Sequence, residues 1–161
     1  MSKIFIDTNI LVYAADMSEP LKSKQSRVII KTLQNNQVGV ISTQILQEFY
    51  VAATKKLRID PLIAKSIIHN MRNLEIVAVD AELIEEAVDC SVLNRLSFWD
   101  ALVVVSAEKA NCQTLWTEDL NHGQTIRGVK IENPYLETNK PERGSIGELH
   151  ERIQGVYPSD N

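Results

Sequence analysis

Short, continuous apolar runs alternate with longer helical patterns along this 161-residue sequence. The runs are residues 3–6, 38–41, 75–79, 114–117 and, more weakly, 129–131. A run without polar alternation is typical of a strand that is buried on both faces. Between the runs, apolar residues recur at helical spacing over residues 20–36, 43–57, 61–73, 81–95 and 98–110. This alternation predicts an α/β fold, a three-layer α/β/α domain around a central, mostly parallel sheet of about five strands.

The composition separates a body from a short appendage. Hydrophobic residues make up 44% of the chain and charged residues 24%, which excludes a wholly disordered or collagen-like chain. After residue 136, glycine and proline become frequent and large apolar side chains become rare. We therefore predict one domain over residues 1–136 and an appendage over residues 137–161. Within the appendage, the Ser145-x-x-Glu148 pattern predicts a short helix.

Cysteine content, hydropathy and charge indicate the cellular setting. Cys90 and Cys112 are too few for a disulfide scaffold and fit no zinc spacing, so we expect small buried side chains in a reducing cytosol. No apolar stretch approaches the roughly 18 residues of a membrane span, and we expect a cytoplasmic protein that contacts no membrane. The net charge of −4 argues against passive binding of nucleic acid. It does not argue against an enzyme that meets phosphates through metal ions.

Acidic residues follow the expected strands or open the expected helices. Asp7 follows the first strand and Asp119 follows the fourth, while Glu48 and Asp100 lie near the starts of two helices. Ligands of an open parallel sheet bind beyond the carboxyl ends of its strands. We therefore expect Asp7, Glu48, Asp100 and Asp119 to face a single cleft.

Four carboxylates in one cleft predict a divalent cation. Like charges a few ångströms apart raise one another's pKa, and a bound cation removes that conflict. Oxygen ligands without histidine or cysteine favour Mg²⁺ or Mn²⁺. Two such ions, about 4 Å apart, hold an attacking water and a leaving oxygen in line across a phosphodiester. The residues alone thus predict a site for metal-assisted phosphoryl transfer.

Each of these carboxylates also has a structural interpretation. Asp7 is placed to cap a helix that starts at Asn9, and Asp100 forms a capping-box pattern with Ser97. Glu48 falls at the border of an apolar helix face, and Asp119 lies in a polar loop. Only their shared placement favours the catalytic interpretation. We expect both tryptophans, Trp99 and Trp116, to pack in the core.

Four segments resemble, in order, the motifs of PIN-domain nucleases. They are Phe5–Ala14 (FIDTNILVYA), Ser42–Tyr50 (STQILQEFY), Ser97–Leu102 (SFWDAL) and Leu115–Gly123 (LWTEDLNHG). The resemblance spans about residues 3–136, and the compact length and the wording of the motifs are most similar to VapC-type toxins of prokaryotic toxin–antitoxin pairs.

This resemblance implies an endoribonuclease that uses Mg²⁺ or Mn²⁺. By motif, Asp7, Glu48, Asp100 and Asp119 become the catalytic and metal-binding residues, and Asn9 and Thr117 become supporting residues. The structural alternatives for the last two are a helix-start residue and a strand-end hydroxyl bonded to backbone. The resemblance also implies an RNA substrate, a homodimer and an inhibitory antitoxin protein.

Three other functions stay open at this point. The first is a non-catalytic domain whose acidic pocket binds a cation, as in receiver domains, although Glu48 on a helix fits that pattern poorly. The second is a phosphatase of the haloacid-dehalogenase type, which requires a second Asp where this sequence has Asn9. The third keeps the nuclease but assigns it to RNA processing rather than to toxicity.

Overall fold

The computed structural model describes residues 2–136, and this part of the chain forms six strands and six helices. The strands are β1 (Ile4–Ile6), β2 (Gly39–Ser42), β3 (Glu75–Val77), β4 (Thr114–Trp116), β5 (Thr125–Ile126) and β6 (Val129–Glu132). The helices are α1 (Thr8–Ala15), α2 (Pro20–Asn35), α3 (Thr43–Lys55), α4 (Pro61–Met71), α5 (Ala81–Asn94) and α6 (Phe98–Lys109). The predicted appendage, residues 137–161, lies outside the described residues.

The strands form one sheet in the order β3-β2-β1-β4-β6-β5. All neighbours pair in parallel except β5 and β6, which are antiparallel. The predicted α/β class with a mostly parallel central sheet is therefore confirmed. The strand that the sequence did not reveal, β5, has two residues and joins β6 through a tight turn. In that turn Arg127 and Gly128 both have positive φ, as a type I′ hairpin requires.

The core lies between the three central strands and the helices that cover them. Every residue of β1, β2 and β4 is buried. Helix α6 buries seven consecutive residues, Ala101–Ala107, and packs against α5 and three of the strands. The other helices pack in a second group, in which α1 contacts α2 and α3, and α3 contacts α4. The sheet is thus enclosed by helices, as its continuous apolar strands require.

Within residues 2–136, no single helix is long and apolar enough to cross a membrane. Helices α5 and α6 reach that length and composition only as a pair, across a bend of 115°.

The start of β2 is packed too closely for a side chain. A Cβ atom added to Gly39 would lie 2.6 Å from Leu74 Cδ2 and 3.0 Å from Leu33 Cβ. Both leucines are buried, at 4% and 0% exposure, so neither side chain moves freely. This close contact fixes the position of β2 relative to the end of α2. Because β2 leads directly into α3, it also helps to position that helix.

We predict that Gly39→Ala lowers the free energy of unfolding by about 1–3 kcal/mol, because the added methyl group overpacks a closed core. Urea denaturation of the two proteins measures the difference. The cost should shrink in a Leu74→Ala background, where the nearest colliding methyl is absent. An equal cost in both backgrounds would contradict the packing explanation.

Candidate active site

The ends of two central strands bring Asp7 and Thr117 side by side. The parallel register pairs Ile6 of β1 with Trp116 of β4, so the next residue of each strand lies beside its neighbour. Thr117 Oγ1 donates a hydrogen bond of 2.8 Å to Asp7 Oδ2, and the Thr8 backbone N–H donates one of 2.7 Å to Asp7 Oδ1. Asp7 therefore caps α1 and also lies at the carboxyl edge of the sheet, so both of its predicted roles share one geometry.

Thr117 also organises the loop after β4. Its side chain is fully buried, and its hydroxyl oxygen accepts a hydrogen bond of 3.0 Å from the Asp119 backbone N–H. One hydroxyl thus joins the first and last carboxylates of the predicted set.

Glu48 on α3 is held by two side chains that the sequence did not single out. Thr8 Oγ1 donates to Glu48 Oε2 at 2.6 Å, and Gln44 Nε2 donates to Glu48 Oε1 at 2.9 Å. The sequence feature that could have identified Gln44 as a partner of Glu48 is their spacing of four residues, which places both side chains on one face of the helix. Thr8 lies inside the first motif, directly after Asp7.

Gln44 also links α3 to the start of α6. Its Nε2 lies 3.2 Å from the Trp99 carbonyl oxygen, one residue before Asp100. The Asp100 backbone N–H donates to Ser97 Oγ at 3.1 Å, which is half of a capping box. The reciprocal bond, from the Ser97 N–H to the Asp100 carboxylate, is not formed among the described residues, so this carboxylate is not consumed by capping.

The four carboxylates act on one another electrostatically. Burial is the main cause that raises the pKa of Asp7 to about 6, and Asp119 and Glu48 raise it further against the lowering effect of two hydrogen bonds. Burial also raises the pKa of Asp119, with added repulsion from Asp100, Glu118 and Glu48. These mutual effects link all four predicted residues to one neighbourhood of like charge.

Glu118, next to Asp119 in sequence, is paired with a cation. It forms an ion pair of 2.8 Å with Lys22 and accepts a hydrogen bond of 2.8 Å from the Tyr13 hydroxyl. Lys22 Nζ also lies 4.3 Å from the centre of the Tyr13 ring. Because Glu118 already has a cationic partner, the loop presents Asp119 as its uncompensated carboxylate.

Asn9 makes no contact that supports the carboxylates. Both polar atoms of its side chain are buried and have no hydrogen-bond partner among residues 2–136. Such atoms are costly when they stay unpaired, so Asn9 marks a place where a bound group would add hydrogen bonds.

The donor chemistry of this cluster fits a hard divalent cation. All four side chains offer carboxylate oxygens, and burial together with neighbouring carboxylates raises the pKa of Asp7 and of Asp119. In the part of the chain that the structure describes, however, no three acidic, histidine or cysteine side chains lie close enough together to hold one ion. The carboxylates are neighbours that do not converge on a common point in this structure.

The prediction that both tryptophans pack in the core is wrong for one of them. Trp116 is buried, with 1% of its surface exposed, but Trp99 is 61% exposed. The reason is its place in the first turn of α6, ahead of the segment Ala101–Ala107 that packs into the core.

Several solved structures are similar in fold. The VapC20 toxin of Mycobacterium tuberculosis, which cleaves the sarcin–ricin loop, aligns over 73% of this chain and 92% of its own, with 20% identity and a TM-score of 0.58. DNA-bound VapBC from Salmonella typhimurium aligns over 83% of this chain and 98% of its own, with 20% identity and a TM-score of 0.59. VapBC2 from Rickettsia felis, bound to a promoter DNA fragment, aligns over 81% and 97%, with 22% identity and a TM-score of 0.57.

No curated protein matches the sequence significantly. A model of the PIN domain family does match, over residues 4–126. This match covers most of the chain and includes all four acidic positions, and it agrees with the fold of the similar structures. The chain belongs to the PIN domain family.

Proposed function

We propose that this protein is a metal-dependent endoribonuclease and the toxin of a type II toxin–antitoxin pair. The observations that support the proposal are the match to the PIN domain family over residues 4–126 and the mutual repulsion of the acidic side chains, by which Asp119 and Glu48 raise the pKa of Asp7 while Asp100 and Glu48 raise that of Asp119. The similar VapC20 structure is that of a toxin that cleaves the sarcin–ricin loop, which favours RNA as the substrate.

In this proposal the four carboxylates are the residues that would hold Mg²⁺ or Mn²⁺, although among the described residues no three of them lie close enough together to hold one ion. A bound divalent cation neutralises charge on the phosphate and lowers the pKa of a water molecule. Thr117 orients Asp7 and the Asp119 backbone, and Thr8 orients Glu48. Asn9 supplies unpaired polar atoms at the start of α1. Lys22 and Tyr13 hold Glu118 in place, so that Asp119 is the acidic group the loop offers.

An antitoxin partner is supported by an apolar groove on another face. The groove has a volume of about 700 Å³ and lies between α1, α2 and α4. Its lining includes Met17 and Ile63, which are 72% and 57% exposed, as well as Arg27 and Arg58. Exposed apolar surface with cations at its edge suits a partner segment that is both apolar and acidic.

A homodimer also belongs to the proposal. Along α5, the side chains of Ile84, Val88 and Val92 are 42%, 49% and 73% exposed. Their spacing of four residues puts them on one helix face, and an exposed apolar stripe of this kind favours contact with a second copy.

We predict that the purified protein cleaves mixed cellular RNA with added Mn²⁺ or Mg²⁺, and that EDTA stops the reaction. Asp100→Asn should abolish cleavage, because it removes a metal-binding charge while its backbone N–H keeps the bond to Ser97. Gel analysis with mapping of the new ends measures both effects. Full cleavage in EDTA, or by a folded Asp100→Asn variant, would overturn the metal mechanism.

We predict that Asp7→Asn raises the free energy of unfolding in metal-free buffer at pH 7.5 by about 1–3 kcal/mol. The pKa of Asp7 rises from its ordinary value of 3.8 to about 6 on folding, which corresponds to about 3 kcal/mol. The folded state binds the proton more tightly, so the destabilisation by Asp7 is absent below about pH 4 and complete above about pH 6.

Chemical denaturation at pH 4 and pH 7.5 measures this effect. The stability advantage of the Asn variant should nearly vanish at pH 4, and added Mn²⁺ should stabilise the wild type much more than the variant. A constant difference at the two pH values would contradict the assignment of buried charge to Asp7.

We predict that expression of the protein arrests growth and that the product of an adjacent gene relieves the arrest. Ile63→Glu should keep the arrest but weaken the relief, because it places a charge in the apolar groove. The growth of cells that express each pair measures this. Leu62→Glu is the matched control, because it adds the same charge at a 73% exposed residue of the same helix that does not line the groove, and equal relief of both variants would count against the groove as the antitoxin site.

A further inference from the structure

A second groove begins directly beside the carboxylates. It has a volume of about 560 Å³ and lies between α3 and the first turn of α6, within the roughly 300–1,000 Å³ that is typical of small-ligand sites. Its lining includes Gln44, Glu48, Lys55, Lys56 and Trp99. Because Glu48 belongs to the acidic cluster, whatever occupies this groove adjoins the proposed reaction centre.

Trp99 presents a fixed aromatic ring to this groove. Its indole is 61% exposed, yet its backbone carbonyl accepts the hydrogen bond from Gln44. Its ring meets the Phe98 ring edge to face, with centroids 5.2 Å apart at an angle of 74°. The next residue is Asp100, so the ring is held one position from a proposed metal-binding residue.

Two lysines lie at the far end of the same groove. Lys55 is the last residue of α3 and Lys56 its C-cap, and both are exposed. Neither forms an ion pair with another residue in the range 2–136. At 1.5 Å per residue, Lys55 lies about 10 Å along the helix from Glu48. The groove therefore runs from an acidic end, past an aromatic ring, to a basic end.

Gln44 adds a buried polar atom beside the ring. This residue is 3% exposed, and its Nε2 is shared between Glu48 and Trp99. Its Oε1 has no hydrogen-bond partner among the described residues. A buried acceptor without a donor is costly, and a ligand with N–H groups would satisfy it.

We propose that Trp99 is a stacking platform for an unpaired nucleobase next to the cleaved phosphate, and that Lys55 and Lys56 bind the phosphate of a neighbouring nucleotide. The inference rests on the proposed function and adds how the substrate is held. Stacking on aromatic rings and a basic track for phosphates are the two elements by which proteins hold single-stranded nucleic acid. Bases of a duplex are not free to stack, so the groove selects single-stranded or looped RNA.

The charges favour this occupant over a purely apolar protein segment. An apolar segment of a partner would cover Trp99 but would leave both lysines without counter-charges. A strand of RNA supplies a ring for the indole and phosphates for the lysines, and its metal-bound phosphate is drawn to the acidic end. The aromatic ring, the two lysines and the acidic end of the groove then each have a complement on one ligand, while Val51 and Ala52 supply apolar surface between them.

The first test measures binding of a fluorescently labelled, mixed-sequence single-stranded RNA 12-mer by anisotropy, in an Asp7→Asn background that leaves the RNA intact. Trp99→Ala should weaken the Kd by about 5- to 100-fold, and Trp99→Phe by less. Leu93→Ala removes a similarly exposed apolar side chain, 77% exposed on α5, and should leave the Kd unchanged. RNA should also quench the fluorescence of Trp99, while buried Trp116 serves as an internal reference.

The second test separates base stacking from phosphate binding. Replacing the RNA by an abasic strand of the same length should abolish the difference in Kd between the Asp7→Asn parent and the same protein with Trp99→Ala. Lys56→Gln should reduce the slope of log Kd against log salt by about 0.7, and the matched Lys65→Gln on α4 should not.

If the wild type cleaves RNA and the Asp7→Asn parent binds it, but the added Trp99→Ala change leaves the Kd unaltered, the stacking proposal is wrong and the nuclease proposal stands. The stacking proposal is also overturned if Trp99→Ala weakens the Kd for the abasic strand as much as the Kd for RNA. It is likewise overturned if size-exclusion chromatography shows that Trp99→Ala converts a dimer to a monomer. If the wild type does not cleave RNA and the Asp7→Asn parent does not bind it, both proposals fail.

Discussion

The candidate site depends on a buried carboxylate at the meeting point of two parallel strands. Asp7 is 6% exposed and is held by the Thr117 hydroxyl and the Thr8 backbone N–H. Those bonds stabilise its charge, yet burial and two neighbouring acids still raise its pKa to about 6. Folding thus stores unfavourable electrostatic energy at the sheet edge, which a bound cation would release.

Hydrogen bonds between elements, rather than the sheet alone, give the site its arrangement. Thr8 joins α1 to Glu48, and Gln44 joins Glu48 to the start of α6. The Lys22–Glu118 pair removes one acidic side chain from the cluster. Glu118 and Asp119 are adjacent in the sequence but have different surroundings, because Glu118 pairs with Lys22 whereas the charged neighbours of Asp119 are further carboxylates.

The sequence predicted the long helices to within two residues at each end, because their apolar periodicity and capping residues are strong local signals. It missed β5, since two residues are too short to show a period, and it placed the start of the helix after Asp7 at Asn9, one residue later than α1 begins. It was wrong about Trp99, because an aromatic residue in a helical pattern is usually buried. The residue at which α6 emerges from the core depends on how the helices pack, and the apolar pattern of the sequence does not specify it.

The sequence by itself determined the α/β class, because continuous apolar strands must be covered by helices, and it predicted four acidic site residues, of which Asp7 and Asp119 follow strands that end at one edge of the sheet. The family resemblance already implied Thr117 as a supporting residue, but only the tertiary structure decided that Thr8 and Gln44 also hold an acid and that the Trp99 ring stays exposed. Thr8, Gln44 and Thr117 act across elements that are up to 110 residues apart in the chain. Such contacts arise from strand register and helix packing, which no local pattern of residues specifies.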